Sequence, residues 1–216
     1  MDTQNSYADT LKDIKQMMER SSRFISLSGL SGIAAGVCAL IGAWFAHLSL
    51  KKHLASINIA NQISLSKNHP HFSKESVTQN LLIIAALTLF SAILLAFIFT
   101  FLRSKKTATP LWGTTAKRLM INVSIPLIAG GIYLLKILDI GIVGLIAPGC
   151  LIFYGLALLN ASKYTLKEIR YLGLSEIVLG LINILVIGKG LYFWAFGFGV
   201  LHIAYGFVMW WKYERN

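Results

Sequence analysis

The residues of this chain that could carry chemistry are two ionisable side chains within long apolar stretches. Glu176 is the only carboxylate in any of six such stretches, and His202 lies in the last of them. A carboxylate and an imidazole in apolar surroundings can hold or pass a proton, or coordinate a cation. A structural role is the alternative, in which the two side chains form a hydrogen-bonded clamp that fixes helix register.

Further polar residues are predicted to lie at a similar depth. With a rise of ~1.5 Å per residue, Glu176 lies about 9 Å beyond Arg170, and His202 about 15 Å before Lys212. The same count brings four more polar side chains into overlapping levels: Tyr205, Asn183, Asn122 and Tyr154. We expect Glu176, Tyr205 and His202 to cluster, with Asn183 above them. Asn122 and Tyr154 join only if their helical hairpin packs alongside.

The six apolar stretches are each long enough to cross a bilayer. They cover 27–48, 81–102, 119–138, 142–160, 169–187 and 191–211, each near the ~20 residues that a spanning helix needs. Charged residues make up 13% of the chain and mean hydropathy is +0.65, whereas about 25% of a soluble domain is charged. The sequence therefore predicts an all-α integral membrane protein with six transmembrane helices in a lipid bilayer.

The distribution of basic residues predicts the orientation. Fourteen of the 20 Lys and Arg residues fall in the N-terminal segment, the second and fourth loops and the C-terminus. Because basic loops stay in the cytoplasm, both termini are expected there. The net charge of +11 is explained by these loops. No nucleic-acid-binding motif accompanies it, so no nucleic-acid partner is expected.

The chain divides into a polar segment at 1–23 and a transmembrane domain at 24–216, with an external loop at about 49–80. Leu11, Ile14, Met18 and Ile25 recur at helical spacing with basic residues between them. This pattern predicts an amphipathic helix on the cytoplasmic membrane surface. A frayed polar tail is the alternative.

An internal repeat is indicated by two shared patterns. Stretches one and five share G-L-S-x-I-x-x-G, at 29–36 and 173–180. Stretches four and six share I-x-Y-G, at 152–155 and 203–206. Odd stretches resemble odd and even resemble even, which is what three tandem helical hairpins would leave. The short links at 139–141 and 188–190, which contain Gly141 and Gly188, agree with such hairpins. Chance matching within a Gly- and Leu-rich alphabet is the alternative.

The run E-R-S-S-R-F-I-S-L-S-G-L-S-G-I at 19–33 resembles the start of an uncharacterised family of small bacterial membrane proteins with six helices. That resemblance implies a bacterial cytoplasmic (inner) membrane location and supplies no function. The three-hairpin plan is similar to that of acid-stress membrane proteins of the HdeD type. Neither resemblance provides a catalytic motif.

Small residues form continuous faces on three of the predicted helices. Such faces let helix backbones approach in lipid, where small residues drive association. The glycines concerned are Gly29, Gly32, Gly36, Gly173, Gly180, Gly199 and Gly206. Packing is the preferred interpretation, within the bundle or against a second copy or a partner. Pro126 and Pro148 are expected to interrupt helices three and four, as kinks or as hinges.

Other chemistry finds little support. His69 and His71 could ligate a metal on an extended segment, but a solvated loop is the preferred interpretation. No nucleophile elbow, P-loop, dinucleotide fingerprint or zinc-protease motif is present, so an enzyme is not favoured and no cofactor can be named. Cys38 and Cys150 are interpreted as small apolar residues.

Two functions remain open at the level of sequence. The first is transport or membrane homeostasis linked to a proton or cation, with Glu176 and His202 as the working groups. The second is a non-catalytic interaction or accessory subunit that acts through its small-residue helix faces.

Overall fold

The fold is helical throughout the described residues. A computed structural model describes residues 28–63, 74–107 and 112–215. Its main helices are α1 (Gly29–Ile63), α2 (Lys74–Thr107), α3 (Thr114–Asp139), α4 (Ile146–Ala161), α5 (Glu168–Leu185) and α6 (Gly190–Tyr213), and a 3₁₀ turn (Val143–Leu145) leads into α4. The predicted amphipathic N-terminal helix, His69 and His71 lie outside the described residues.

Five helices in the described ranges are long and apolar enough to cross a membrane: α1, α2, α3, α4 with its preceding turn, and α6. Helix α5 is 18 residues long and carries three charged residues, Glu168, Arg170 and Glu176, so it does not fall in that group. Five or six long apolar helices without a strand are what a multi-pass membrane bundle requires. The predicted fold class is confirmed at that level.

Helix extends through much of the segment that the sequence assigned to the first external loop. Helix α1 continues to Ile63 and α2 begins at Lys74, so most of the segment at 49–80 is helical. Polar residues such as Lys51 and Lys52 end the apolar stretch without ending the helix, because neither Pro nor Gly interrupts it.

Tight links join α3 to α4 and α5 to α6, as the sequence predicted. Gly141 has a φ of +80° and Gly188 a φ of +91°. Residues other than glycine are strained in that region, so glycine permits the chain to reverse there. Each of the two links therefore joins a pair of antiparallel neighbouring helices.

Two helix pairs form the centre of the molecule. Helix α1 packs on α6, and α4 packs on α5; α2 covers the outer side of α1, and α3 that of α4. Helices α5 and α6 make a smaller contact with each other, although they are linked directly. The junction of the two pairs lies along this smaller contact.

The two central pairs use their glycines in the same register. A Cβ built on Gly36 would lie 2.7 Å from the Ile203 side chain, and one on Gly180 would lie 2.7 Å from that of Ile152. The two isoleucines begin the two I-x-Y-G patterns. The glycine faces therefore bring backbones together within the chain, and α1 relates to α6 as α5 relates to α4.

The two prolines differ in their effect. Pro126 lies inside α3, where it leaves the Asn122 carbonyl without a helical N–H donor. Asn160 Nδ2 donates to that carbonyl at 3.4 Å. Pro148 was predicted to interrupt a helix; instead it is the third residue of α4. A helix tolerates Pro in its first turn, because the missing N–H would have no partner there.

Candidate functional site

Glu176 is the most deeply buried ionisable group at the junction of the two pairs. Its exposed fraction is 0%, and neither Oε1 nor Oε2 has a hydrogen-bond partner. A Cβ built on Gly197 of α6 would lie 2.5 Å from Glu176 Oε2. The carboxylate is therefore pressed against the α6 backbone at a position where only glycine leaves room.

His202 is the ionisable neighbour of this carboxylate. Its Nδ1 lies 3.5 Å from Glu176 Oε1 and 3.0 Å from the carbonyl oxygen of Gly197. Its Nε2 lies 2.8 Å from the Tyr154 hydroxyl. The shorter Nδ1 contact is with a carbonyl, which can only accept, so a neutral His202 donates there from Nδ1 and accepts the Tyr154 O–H at Nε2.

A π-helical segment in α6 creates the acceptor for His202. Residues Ala195–Leu201 form i→i+5 bonds, whereas the flanking parts of α6 are α-helical. The wider turn places the Gly197 carbonyl beside the ring of the residue five positions later. Such segments are rare and occur often at functional sites. The only sequence signal was the pair of glycines, Gly197 and Gly199, inside a helix.

An aromatic row runs from the start of α6 to this site. The Trp194 and Phe198 ring centroids are 5.1 Å apart, and Phe198 lies 5.0 Å from Tyr154 and 5.9 Å from His202. Sequence reasoning did not predict this row, because the spacing of Trp194 and Phe198 resembles ordinary helix packing. Its rings shield one side of the imidazole from polar groups.

Of the two tyrosines named for the predicted polar cluster, one contacts the imidazole. Tyr154 of α4, not Tyr205, contacts the imidazole. The Tyr205 hydroxyl donates instead to Met209 Sδ at 3.1 Å, one turn further along α6. The reason is the α4–α6 approach, which brings Tyr154 across from a neighbouring helix.

Asn183 and Asn122 lie apart from the acid and imidazole. Asn183 is 2% exposed, and its Oδ1 lacks a partner. It lies two turns along α5 from Glu176, beside Gly190. Asn122 donates to the Arg118 carbonyl at 2.8 Å and to the Tyr164 hydroxyl at 3.4 Å. It therefore belongs to a separate contact between α3 and the α4–α5 link.

Two charged clusters at one end of the bundle were not predicted. Glu214 accepts hydrogen bonds from Gly29 N–H and Ser28 Oγ and pairs with Arg103, so it caps α1 and ties it to α2 and α6. Capping by a distant carboxylate is favourable at the positive end of a helix dipole. A sequence pattern cannot reveal it, because the partners are far apart in the chain.

Glu168 forms the second cluster, with Lys212 and Tyr213. Burial alone would raise the pKa of Glu168, but the hydrogen bonds from Lys212 and Tyr213 outweigh it and hold that pKa below its usual value. The cluster joins the start of α5 to the end of α6.

Neither a group of metal-ligating residues nor a match to a known protein identifies the function of this site. Over the ranges that the structure describes, no three His, Cys, Asp or Glu residues are grouped to hold a metal ion. Cys38 and Cys150 are free thiols. No protein-family model matches this chain, and no curated protein or solved structure matches it either.

Proposed function

We propose that this chain is a small multi-pass membrane protein that handles a proton or a cation at the Glu176–His202 pair. The observation that carries the proposal is the fully buried Glu176 carboxylate, whose two oxygens have no hydrogen-bond partner and which lies 3.5 Å from an imidazole. Burying an unsatisfied polar group costs several kcal/mol. Ionisable residues inside membrane helices are therefore rare and usually mark a pathway for ions or protons.

The two tautomers of His202 provide a route for the proton. In one tautomer Nδ1–H donates to the Gly197 carbonyl and Nε2 accepts from Tyr154. In the other, Nε2–H donates to the Tyr154 oxygen, and Nδ1 is free to accept a proton from the Glu176 carboxylic acid. Proton transfer then leaves a carboxylate beside an imidazolium. Gly197 and Tyr154 each stabilise one of the two tautomers.

The proposed setting is the bacterial cytoplasmic membrane, with both termini inside and six spans arranged as three tandem hairpins. The basic-residue distribution supports this orientation. The equal register of α1 on α6 and α5 on α4 supports the repeat. Helix α5 would be the sixth span, with its buried polar side chains, Glu176 and Asn183, directed at other helices.

Reconstitution in liposomes tests the function. We expect wild-type protein to dissipate an imposed pH gradient, reported by an internal pH-sensitive dye, and Glu176→Gln to abolish that flux. His202→Gln should lower the flux strongly, whereas His47→Gln is the matched control, because His47 is exposed on α1. Melting curves establish that each variant is folded. Wild-type flux in a folded Glu176→Gln protein contradicts the proposal.

The alternative proposal is a non-catalytic interaction or accessory subunit, which meets a partner or a second copy of itself through a helix face. One observation favours an intermolecular contact: α2 packs mainly on α1 and leaves large apolar side chains exposed, among them Phe90 and Phe97. The small-residue faces are covered by the chain's own helices, so a partner would meet α2 instead. Silent Glu176 variants together with a stable oligomer in mixed micelles would favour this alternative.

A further inference from the structure

A second feature of the junction is an apolar cavity of about 370 Å³. Residues of α1, α2, α4 and α6 line it, together with Leu138 of α3 and residues of the α3–α4 and α5–α6 links. Small and aliphatic side chains such as Ala43, Ala46 and Leu81 make up most of the wall, and the hydroxyls of Thr78 and Thr88 are among its few polar groups. A cavity with such walls suits the apolar body of a small molecule.

The buried carboxylate of Glu176 does not line this cavity but lies beyond one end of it. Trp194 and Cys150 line the cavity. Gly197 lies one turn beyond Trp194, and a Cβ built on it would be 2.5 Å from both Glu176 Oε2 and Leu151 Cδ2. With ~1.5 Å of rise per residue, the carboxylate is about one helical turn past the Trp194 end of the cavity.

The chemistry at that end calls for a positive charge. In this half of the bundle, the buried side-chain atoms that lack a partner among the described residues are oxygen acceptors: Glu176 Oε1 and Oε2 and Asn183 Oδ1. Asn183 Oδ1 would lie 3.8 Å from a Cβ on Gly190, another residue that lines the cavity. A cation beside a carboxylate in apolar surroundings is strongly attracted, and the face of Trp194 adds a cation–π contribution.

We propose that the cavity and Glu176 together bind a hydrophobic organic cation, such as a protonated alkylamine. Its apolar body fills the cavity, and its ammonium group lies at the Trp194 end, where it faces the carboxylate. The proposal rests on the proposed function in one respect, namely that Glu176 reaches the ionised state. A neutral acyl chain would fill the same space but would leave the carboxylate unpaired.

Calorimetric titration tests the proposal on the full chain in phosphatidylcholine nanodiscs, with empty nanodiscs as the blank. Hexylammonium is the cationic probe and hexanol is its neutral counterpart of similar shape. We expect the wild type to bind hexylammonium at least about tenfold more tightly than hexanol. Glu176→Gln should remove that preference, whereas Glu176→Asp, which keeps the charge, should retain it.

Two size variants locate the apolar part of the site. Ala46→Phe fills the cavity and should abolish binding of both probes, with Leu50→Trp as a second filling variant if the first fails to fold. Leu87→Phe is the matched control, because Leu87 is 63% exposed on α2; it should leave both affinities unchanged. Melting curves report folding for each protein.

Equal affinities for the two probes, a preference that persists in Glu176→Gln, or no binding of either probe would overturn the proposal. These outcomes are separable from failure of the proposed function. Glu176-dependent proton flux without cation preference would leave the function standing and remove the cation site. Glu176-dependent hexylammonium binding without flux would leave the site standing and remove proton transport.

Discussion

At the scale of single residues, three side chains from three helices meet at one point. Glu176 comes from α5, Tyr154 from α4 and His202 from α6. Each is buried or nearly so, and the imidazole is the centre of the group because it contacts both of the others. A substitution of Glu176 or Tyr154 should therefore change the orientation of the His202 ring.

Removal of the Tyr154 hydroxyl should lower stability measurably. Tyr154→Phe leaves His202 Nε2 without its partner, which we expect to cost about 1 kcal/mol of unfolding free energy. Tyr205→Phe is the matched control, because the Tyr205 hydroxyl bonds only a thioether, which is a weak acceptor. This substitution should lower the unfolding free energy by at most about 0.3 kcal/mol. SDS titration from mixed micelles measures both. Equal losses would show that the Tyr154–His202 contact contributes nothing specific.

The Glu168 cluster predicts an acid limit to stability. Its pKa is lower in the folded protein than the ordinary value because of Lys212 and Tyr213. A carboxyl group with a depressed folded pKa contributes stability above its unfolded pKa, and that contribution is lost as the pH falls through the folded pKa. The wild-type melting temperature should therefore fall as the pH drops below about 4.5, the ordinary value for a Glu side chain, and by more than that of Glu168→Gln. Parallel curves for the two proteins would contradict this account.

At the scale of helices, sequence patterns predicted what depends on local composition. Apolar length located the helices, and Gly141 and Gly188 marked the tight links, because span length and positive φ are properties of short segments. The partner of His202 was harder to predict. Tyr154 reaches it only because α4 crosses α6, and the π-helical turn at Gly197 follows from packing that no local pattern encodes.

The Glu214 cap on α1 illustrates the same limit. Ser28 stands at the N-cap position of α1, but its hydroxyl donates to Glu214, and Glu214 is the acceptor for Gly29 N–H. The sequence suggests the local Ser as the cap and does not reveal the distant carboxylate. Helix also runs through much of the segment at 49–80, because lysines end an apolar stretch but not a helix. Depth and face of Glu176 and Asn183 were predictable, because helical periodicity fixes both.

The glycine contacts predict matched costs in the two central pairs. Cβ atoms on Gly36 and Gly180 would lie 2.7 Å and 2.9 Å from the carbonyl oxygens of Gly199 and Pro148. Gly36→Ala and Gly180→Ala should each destabilise by about 1–3 kcal/mol, because a backbone must move. Gly131→Ala, with open space around it, should be neutral or stabilising by about 0.5–1 kcal/mol through helix propensity.

SDS titration of these three variants separates close packing from a general intolerance of alanine. Similar losses at Gly36 and Gly180 are expected if the two pairs have the same construction. If one of these two substitutions lowers the stability and the other does not, the α1–α6 pair and the α5–α4 pair are not built in the same way.

At the scale of the whole molecule, polar and apolar features are segregated along the bundle. The clusters of Glu168 and Glu214 involve the start of α5, the start of α1 and the end of α6. The apolar cavity adjoins the opposite end of α5 and α6, beside Gly188 and Gly190. Glu176 lies between the two, so the site has a charged end on one side and a hydrophobic chamber on the other.

This polarity makes the membrane orientation decisive, because it determines which side of the membrane the charged end faces. The basic-residue distribution predicts that the end with Glu168 and Glu214 is cytoplasmic. Fusions of a cytoplasmic fluorescent reporter and of a periplasmic phosphatase are therefore informative at four positions. After Arg103, after Asn160 and after Asn216 the fluorescent reporter should be active and the phosphatase silent. Within 64–73 the phosphatase should be active instead. The four lysines between positions 51 and 74 oppose this assignment, so a cytoplasmic signal from 64–73 would reverse the orientation and place the cavity on the inner side.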